Sequence, residues 1–203
     1  VYTQAWPRLK KYGFPFTIFV ATDPVDNNLR NYMSWDQIRE LLENGVTIGS
    51  QTKSHPHMHR LSPIKVEQEL TLSNNRFLEE IGQYPQLFAY PYGEYSLDVL
   101  KAVKDAGFIA AFGQNSGVLF ASDAMFELPR FAFNENYGSI DRLKLALDGK
   151  PLRVTDITPQ DMVLSENPPS YGFTVDQSLM PISQLRCFSG EYGKLTVEVL
   201  GPR

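Results

Sequence analysis

The three histidines of this chain lie at every second position within one short polar stretch. They are His55, His57 and His59, and they follow the apolar run 46–48. A neutral imidazole is the commonest protein ligand for zinc and similar metals, so the stretch is a candidate metal site. Solvated side chains of a polar loop are the alternative, and the spacing alone leaves both interpretations open.

A short buried strand must position these histidines. The run Val46–Ile48 is apolar and β-branched, and the chain turns polar at Gly49. In α/β folds, functional groups collect just past the carboxyl ends of the strands. The sequence therefore predicts that Gln51 and His55 lie at that edge of a sheet.

Residues 49–58, Gly-Ser-Gln-Thr-Lys-Ser-His-Pro-His-Met, resemble the second motif of the NodB-type polysaccharide deacetylases, carbohydrate esterase family four. The pattern of that family is Gly-Ser-His-Thr-x-Ser-His-Pro-x-Leu, and its two histidines bind the metal. The resemblance places His55 at the second ligand position and Gln51 at the first. A glutamine carbonyl oxygen is a poorer zinc ligand than an imidazole. The resemblance implies a divalent metal cofactor, with zinc expected. His59, four residues beyond His55, is a candidate substitute ligand, although nothing in the loop after Pro56 fixes its geometry.

Residues 88–93, Phe-Ala-Tyr-Pro-Tyr-Gly, resemble a variant of the third motif of the same family. Proline and glycine punctuate ordinary turns as well, but the position after the histidine motif and a helix favours a functional role. The implied chemistry is an oxyanion hole formed by the backbone N–H of Tyr92. Tyr90 and Pro91 are candidate substrate-binding residues. Because both motifs follow strands, we expect Tyr92 and His55 to share one pocket.

Two further segments support the resemblance. Leu128-Pro129-Arg130-Phe131 is similar to a Leu-Pro-Arg-Ile segment of the variant subfamily, and Arg130 is expected to orient catalytic groups there. A surface arginine in a salt bridge is the alternative. Residues 33–50 also match the family, and Trp35 is a candidate substrate-binding residue, with a place in the core as the alternative.

The first motif of the family, of the Thr-Phe-Asp-Asp-Gly type, supplies a catalytic-base aspartate and a metal-binding aspartate upstream of the first helix. The sequence begins just after that place, and no histidine follows His59 to serve as the acid of the fifth motif. We therefore expect the chain as it stands to bind metal weakly and to have little deacetylase activity.

The resemblance implies the removal of N-acetyl groups from an N-acetylhexosamine polymer by metal-activated water. The alternative is a catalytically inactive deacetylase-like protein that binds carbohydrate or has a structural role, which Gln51 favours. The polymer, the metal and the oligomeric state stay open. The resemblance favours the bacterial envelope or periplasm, although no targeting signal is visible.

Composition narrows the class of protein. The 203 residues are 42% apolar and carry a net charge of −4, so a nucleic-acid partner is not expected. Aromatic residues make up 12% of the chain, which suits a carbohydrate-binding surface as well as a large core. No apolar run is long enough to span a membrane. The single Cys187 excludes an intramolecular disulfide bond.

Strands alternate with helices up to residue 148, which predicts parallel βαβ units. Ser34 and Gln37 predict a capping box at the start of one helix, and Pro63 predicts the first position of another. The resemblance implies an incomplete, irregular seven-stranded (β/α) barrel of NodB type. From 149 to 203 the helical period is lost, so we predict a deacetylase-like domain over 1–148 and a β-rich extension over 149–203.

Overall fold

The computed structural model describes residues 1–120, 124–176, 178, 181–189 and 191–201. Within these ranges the helices are α1 (Ala5–Lys11), α2 (Thr22–Asp26), α3 (Trp35–Glu43), α4 (Pro63–Ile81), α5 (Leu97–Asp105) and α6 (Ile140–Asp148). The strands are β1 (Thr17–Val20), β2 (Thr47–Ser50), β3 (Leu87–Ala89), β4 (Ala110–Phe112), β5 (Val154–Thr158), β6 (Gly172–Val175), β7 (Cys187–Ser189) and β8 (Gly193–Leu195).

Strands β1 to β4 form one parallel sheet in chain order, β1-β2-β3-β4. A single parallel bridge joins Phe112 to Leu128 and continues the sheet by one more position. Strands that alternate with helices and run parallel confirm the predicted α/β class. Among the described residues the sheet stays open.

Helix α3 begins as its sequence predicts. The Ser34 hydroxyl accepts a hydrogen bond from the Gln37 backbone N–H at 3.3 Å, and the Gln37 side chain accepts one from the Ser34 N–H at 3.1 Å. This reciprocal pair satisfies two donors at the helix start and closes the capping box. The helix then leads through Gly45, which has a positive φ of 81°, into β2.

Residues 23–33 are mostly polar, and their sequence predicts a loop. That prediction is wrong at its start, because residues Thr22–Asp26 form α2. This helix is held by long-range backbone bonds: the Thr22 N–H donates to the Thr52 carbonyl at 3.3 Å and the Asp23 N–H to the Lys53 carbonyl at 2.9 Å. Bonds to a loop about thirty positions away leave no local sequence pattern.

The core packs helices against the sheet in two clusters of buried side chains. One cluster contains Ile18, Val20, Ile38, Ile48 and Phe77, which come from β1, α3, β2 and α4. The other is centred on Phe88 and Tyr90. The two clusters fix the strands whose carboxyl ends carry the candidate site.

The C-terminal part consists of two antiparallel pairs, β5 with β6 and β7 with β8. The sequence Gly-Glu-Tyr-Gly at 190–193 predicts a hairpin turn, and β7 and β8 pair on either side of it. Gly190 itself lies outside the described residues. Asp161 accepts a hydrogen bond from the Leu97 N–H at 3.2 Å, which joins this part to the start of α5. The β-rich character agrees with the sequence, and the domain boundary at 148 stays a prediction.

In the part of the chain that the structure describes, each helix is too short or too polar to cross a membrane.

Candidate active site

A cavity of about 360 Å³ opens at the carboxyl ends of β1 and β2. Its apolar side is formed by residues of β1, α2, α3 and the segment just before α3, including Phe19, Val20, Val25, Met33 and Ile38. This volume lies at the lower end of the range typical of small-ligand sites. The cavity is therefore large enough for a small apolar group on a ligand.

The polar side of the cavity comes from the two predicted motifs. Gln51, Ser54 and His55 follow β2, and Tyr92 follows β3. The Gln51 N–H donates to the Val20 carbonyl at 2.9 Å. Gln51, the first residue after β2, is therefore still hydrogen-bonded to the end of β1. Parallel strands place their carboxyl ends at one edge, and this brings the motifs together.

The loop that carries His55 has an unusual backbone. Thr52 has a φ of 69° and His55 a φ of 60°, both in the left-handed region that residues with a Cβ seldom adopt. The Thr52 hydroxyl accepts a hydrogen bond from the His55 N–H at 3.0 Å. The Lys53 ammonium is paired with Asp23 of α2 at 2.8 Å. Such a conformation persists only where surrounding contacts determine it.

The turn that carries Tyr92 is also left-handed. Tyr92 has φ 59° and ψ 2°, and Gly93 follows with φ 73°. A Cβ on Gly93 would lie 2.3 Å from the Gln114 Cβ, so only glycine fits this position. The backbone of the turn therefore packs against Gln114 at Gly93, while Tyr92 remains 49% exposed.

Two imidazoles contact the Tyr92 ring. The His55 ring meets it edge to face, with centroids 4.7 Å apart, and the His57 ring stacks on it at 4.0 Å with an angle of 12°. The prediction that Tyr92 and His55 share one pocket is confirmed. Sequence reasoning did not find the stacked His57, whose only signal was its alternation with the other histidines.

The Glu94 carboxylate lies beside both His57 and His59. His57 Nδ1 donates to Glu94 Oε2 at 2.6 Å, and this hydrogen bond, together with the charges of nearby His57, His59 and Arg60, lowers the pKa of Glu94. His59 Nδ1 lies 3.4 Å from the same oxygen and makes no hydrogen bond. His59 is thus beside Glu94, and the described cavity lining does not include it.

Burial sets the charge of the groups at the site. It lowers the pKa of His55, a change that a hydrogen bond to its own backbone partly offsets, so its imidazole favours the neutral form at physiological pH. Burial also lowers the pKa of Arg130. Arg130 donates from Nε to the Gly113 carbonyl at 2.6 Å and lies over the Phe19 ring at 5.9 Å. Arg130 therefore lies next to Phe19, which lines the cavity, and is not itself in the described lining.

The three candidate substrate-binding residues are packed in the interior. Trp35 is buried, donates from its indole to Asp26 at 2.7 Å, and meets the Phe77 ring at 5.7 Å. Tyr90 and Pro91 are fully buried, and the Tyr90 hydroxyl donates to the Phe126 carbonyl at 3.0 Å. Burial raises the pKa of Tyr90. These placements match the core alternative for Trp35 and do not support substrate contact by any of the three side chains.

A catalytic zinc ion normally takes three protein ligands and leaves one position for water. Within the described ranges, no group of three or more His, Cys, Asp or Glu side chains is arranged to hold a metal ion. The cavity offers the His55 imidazole and the Gln51 carbonyl oxygen. The described residues therefore do not fit a catalytic zinc site by themselves.

Comparison with known families and proteins gives one consistent result. The profile of the family described as "Polysaccharide deacetylase" matches residues 1–111. The Bacillus subtilis protein YxkH, a candidate polysaccharide deacetylase, is 28% identical over 129 residues, which are 64% of this chain and 46% of that protein. The poly-β-1,6-N-acetyl-D-glucosamine N-deacetylase of Staphylococcus aureus is 25% identical over 151 residues, with 67% of this chain and 51% of that protein covered. The chain spans about half the length of these curated relatives.

Solved structures agree on the fold. The deacetylase PplD of Streptococcus pyogenes, in complex with acetate, superposes with a TM-score of 0.67 at 23% identity, over 74% of this chain and 65% of that one. IcaB of Ammonifex degensii gives a TM-score of 0.61 at 23% identity, over 72% and 66%. At this identity the likeness establishes the fold, and function must be argued from the site.

Proposed function

This chain belongs to the polysaccharide deacetylase family. We propose that it removes N-acetyl groups by hydrolysis from an N-acetylhexosamine polymer, such as one built on N-acetylglucosamine, at the low rate expected of the chain as it stands. One observation carries the proposal: Gln51, His55 and Tyr92, from two separate motifs, line one cavity at the carboxyl edge of the parallel sheet. The Staphylococcus aureus relative named for poly-β-1,6-N-acetyl-D-glucosamine supports this class of substrate.

The lining suits an acetamido group. Val20 and Val25 give an apolar surface for the methyl group, and Gln51 gives an amide that both donates and accepts hydrogen bonds. The neutral His55 imidazole has one donor and one acceptor nitrogen, so it matches an uncharged amide without the cost of burying a charge. The backbone N–H of Tyr92 stays our proposal for the oxyanion hole, and Arg130 our proposal for a residue that orients this edge.

We also propose that the activity depends on a divalent metal ion. A divalent metal, zinc by expectation, polarises a carbonyl group when bound. His55 and Gln51 are the ligands that this cavity would offer, whereas His59 sits against Glu94. Because two ligands, one of them an amide oxygen, hold zinc less well than three, we propose weak zinc binding by this chain.

A second candidate function is carbohydrate binding without catalysis. Gln51 stands where the family motif has a metal-binding histidine, and the described residues that line the cavity include no carboxylate to act as a base. General-base catalysis is worth roughly 10²–10⁴ in rate, so its loss would leave binding as the main property of the site.

One experiment separates the two candidates. The purified chain is incubated with an N-acetylglucosamine tetramer, with and without added zinc; bound sugar, bound zinc and released acetate are all measured. Sugar binding with acetate release supports the hydrolase, and sugar binding without acetate supports the binding protein. The absence of both would contradict the proposed function.

A further inference from the structure

We propose that Glu69 of α4 is a positioning residue for His55: its carboxylate holds the loop over 52–55 in the shape that presents the imidazole to Tyr92 and the cavity. The inference rests on the proposed function, because it assigns Glu69 to the same site. Neither the histidine motif nor the Pro-Tyr-Gly motif includes this residue.

Glu69 makes three hydrogen bonds to the two residues before His55. Its Oε2 accepts from the Lys53 N–H at 3.1 Å and from the Ser54 N–H at 2.8 Å. Its Oε1 accepts from the Ser54 hydroxyl at 2.7 Å. Hydrogen bonds to an ionised carboxylate are shorter and about twice as strong as neutral ones. One side chain from a long helix thus fixes two successive peptide groups of the loop.

The bonds fall where the backbone is strained. The two anchored residues lie between Thr52 and His55, whose φ angles are 69° and 60°. Successive N–H groups flanked by left-handed residues form a concave site for an anion, and here the Glu69 carboxylate occupies it. Left-handed backbone at residues with a Cβ is unfavourable, so the loop needs this kind of support to keep its shape.

Other contacts of the loop do not replace Glu69. The Lys53 ammonium pairs with Asp23 rather than Glu69, and the Asp23 and Thr22 N–H groups bond to loop carbonyls, which leaves the loop N–H groups to other acceptors. The bond from the His55 N–H to the Thr52 hydroxyl lies within the loop itself. Among the described contacts, Glu69 is therefore the side chain from outside the loop that accepts from the N–H groups of Lys53 and Ser54, next to His55.

The test is the nuclear magnetic resonance signal of the His55 imidazole. Because its ring lies 4.7 Å from the Tyr92 ring, the aromatic ring current shifts its carbon-bound protons. A Tyr92→Asn variant supplies the reference value without the ring current, and asparagine tolerates the left-handed backbone. The variants are Glu69→Ala, Glu69→Gln and, as a matched control, Glu67→Ala, which removes an exposed carboxylate from the same helix.

We expect Glu69→Ala to move the His55 signals most of the way to the Tyr92→Asn value, with affinity for an N-acetylglucosamine tetramer reduced roughly 10-fold to 100-fold. Glu69→Gln should stay near the parent values, since its carbonyl accepts from the two N–H groups and its amide donates to the Ser54 oxygen. Glu67→Ala should change neither quantity.

Unchanged His55 signals in a folded Glu69→Ala variant would overturn the proposal. If Glu69→Ala fails to fold, Ser54→Ala is used in its place, because it removes one of the three hydrogen bonds to Glu69. A smaller shift of the His55 signals in the same direction would support the proposal, and no shift would overturn it. If the parent chain binds no sugar, the proposed function fails, while the His55 signals still test the role of Glu69.

Discussion

The α/β unit and the C-terminal hairpins are both rich in strands, but they differ in what holds the strands. Every described residue that is buried lies between Ile18 and Leu128, whereas the strands from β5 to β8 are half-buried or exposed throughout. Isolated two-stranded ribbons gain little stability from pairing alone. The candidate site therefore lies on the part of the chain with a packed core, whose contacts can hold strained loops in place.

The largest expected difference between the two regions concerns matched phenylalanines. Phe77 of α4 is fully buried, and Phe188 of β7 is 70% exposed. Phe77→Ala removes a core ring and leaves a cavity, so we expect a loss of about 3–5 kcal/mol in the free energy of unfolding. Phe188→Ala should cost less than about 0.5 kcal/mol. Urea denaturation followed by circular dichroism measures both losses in the free energy of unfolding. Equal losses in the two variants would contradict the proposed difference between the two regions.

Two glycines with positive φ give the next largest effect. A Cβ at Gly93, beside Tyr92, would clash with Gln114, whereas a Cβ at Gly193 of β8 meets no atom within 4 Å. We expect Gly93→Ala to cost about 2–4 kcal/mol from strain and overpacking together, and Gly193→Ala about 1 kcal/mol from strain alone. Thermal unfolding checks the order; a more harmful change at Gly193 would contradict it.

The helix caps of the two regions should differ in a similar way, with a smaller effect. Ser34 caps α3, which packs three buried residues, and Ser139 caps α6, which has none. Loss of either cap costs its helix about 1 kcal/mol. We expect Ser34→Ala to lower global stability by that amount and Ser139→Ala to loosen α6 locally, which hydrogen exchange distinguishes. Equal protection loss across the whole chain in both variants would show that α6 is coupled to the core.

The smallest effect concerns pH. The pKa of His55 is lowered from 6.5 by burial, so between the lowered value and 6.5 the unfolded chain binds more protons than the folded one. Stability from this group is complete above 6.5 and falls as the pH falls through that window. His55→Asn removes the term, so the drop in urea midpoint from about pH 7.5 to about pH 5.5 should be larger in the parent chain. A larger drop in the variant would contradict the assigned sign.

The sequence predicts those parts of the fold that depend on neighbours along the chain. The strand predicted at Val46–Ile48 and the capping box of Ser34 and Gln37 follow from local pattern. The capping box is observed, and the strand is observed at Thr47–Ser50. Helix α2 was missed because it is held by carbonyls of Thr52 and Lys53, far away in sequence. Periodicity carries no information about such contacts.

The candidate site likewise has features that the local sequence predicts and features that depend on long-range contacts. Strand ends located Gln51, His55 and Tyr92 correctly at one edge, since parallel strands align their ends. The stack of His57 on Tyr92 and the bond from His57 to Glu94 depend on where two loops meet, which no spacing encodes. Tyr90 looked accessible as part of a motif, yet its ring fills the core below the turn.

Isothermal titration calorimetry measures the affinity of the chain for an N-acetylglucosamine tetramer and for its deacetylated counterpart, and so tests whether the cavity binds the acetamido group. Salt at about 0.5 M screens attraction between the cationic deacetylated sugar and this acidic chain. We predict that the parent chain and Phe188→Ala bind the acetylated sugar in preference, and that Tyr92→Asn and His55→Asn each weaken that binding by about tenfold, or 1.4 kcal/mol. Equal affinity for the two sugars, or unchanged binding in both site variants, would contradict the assignment of this cavity as the acetamido site.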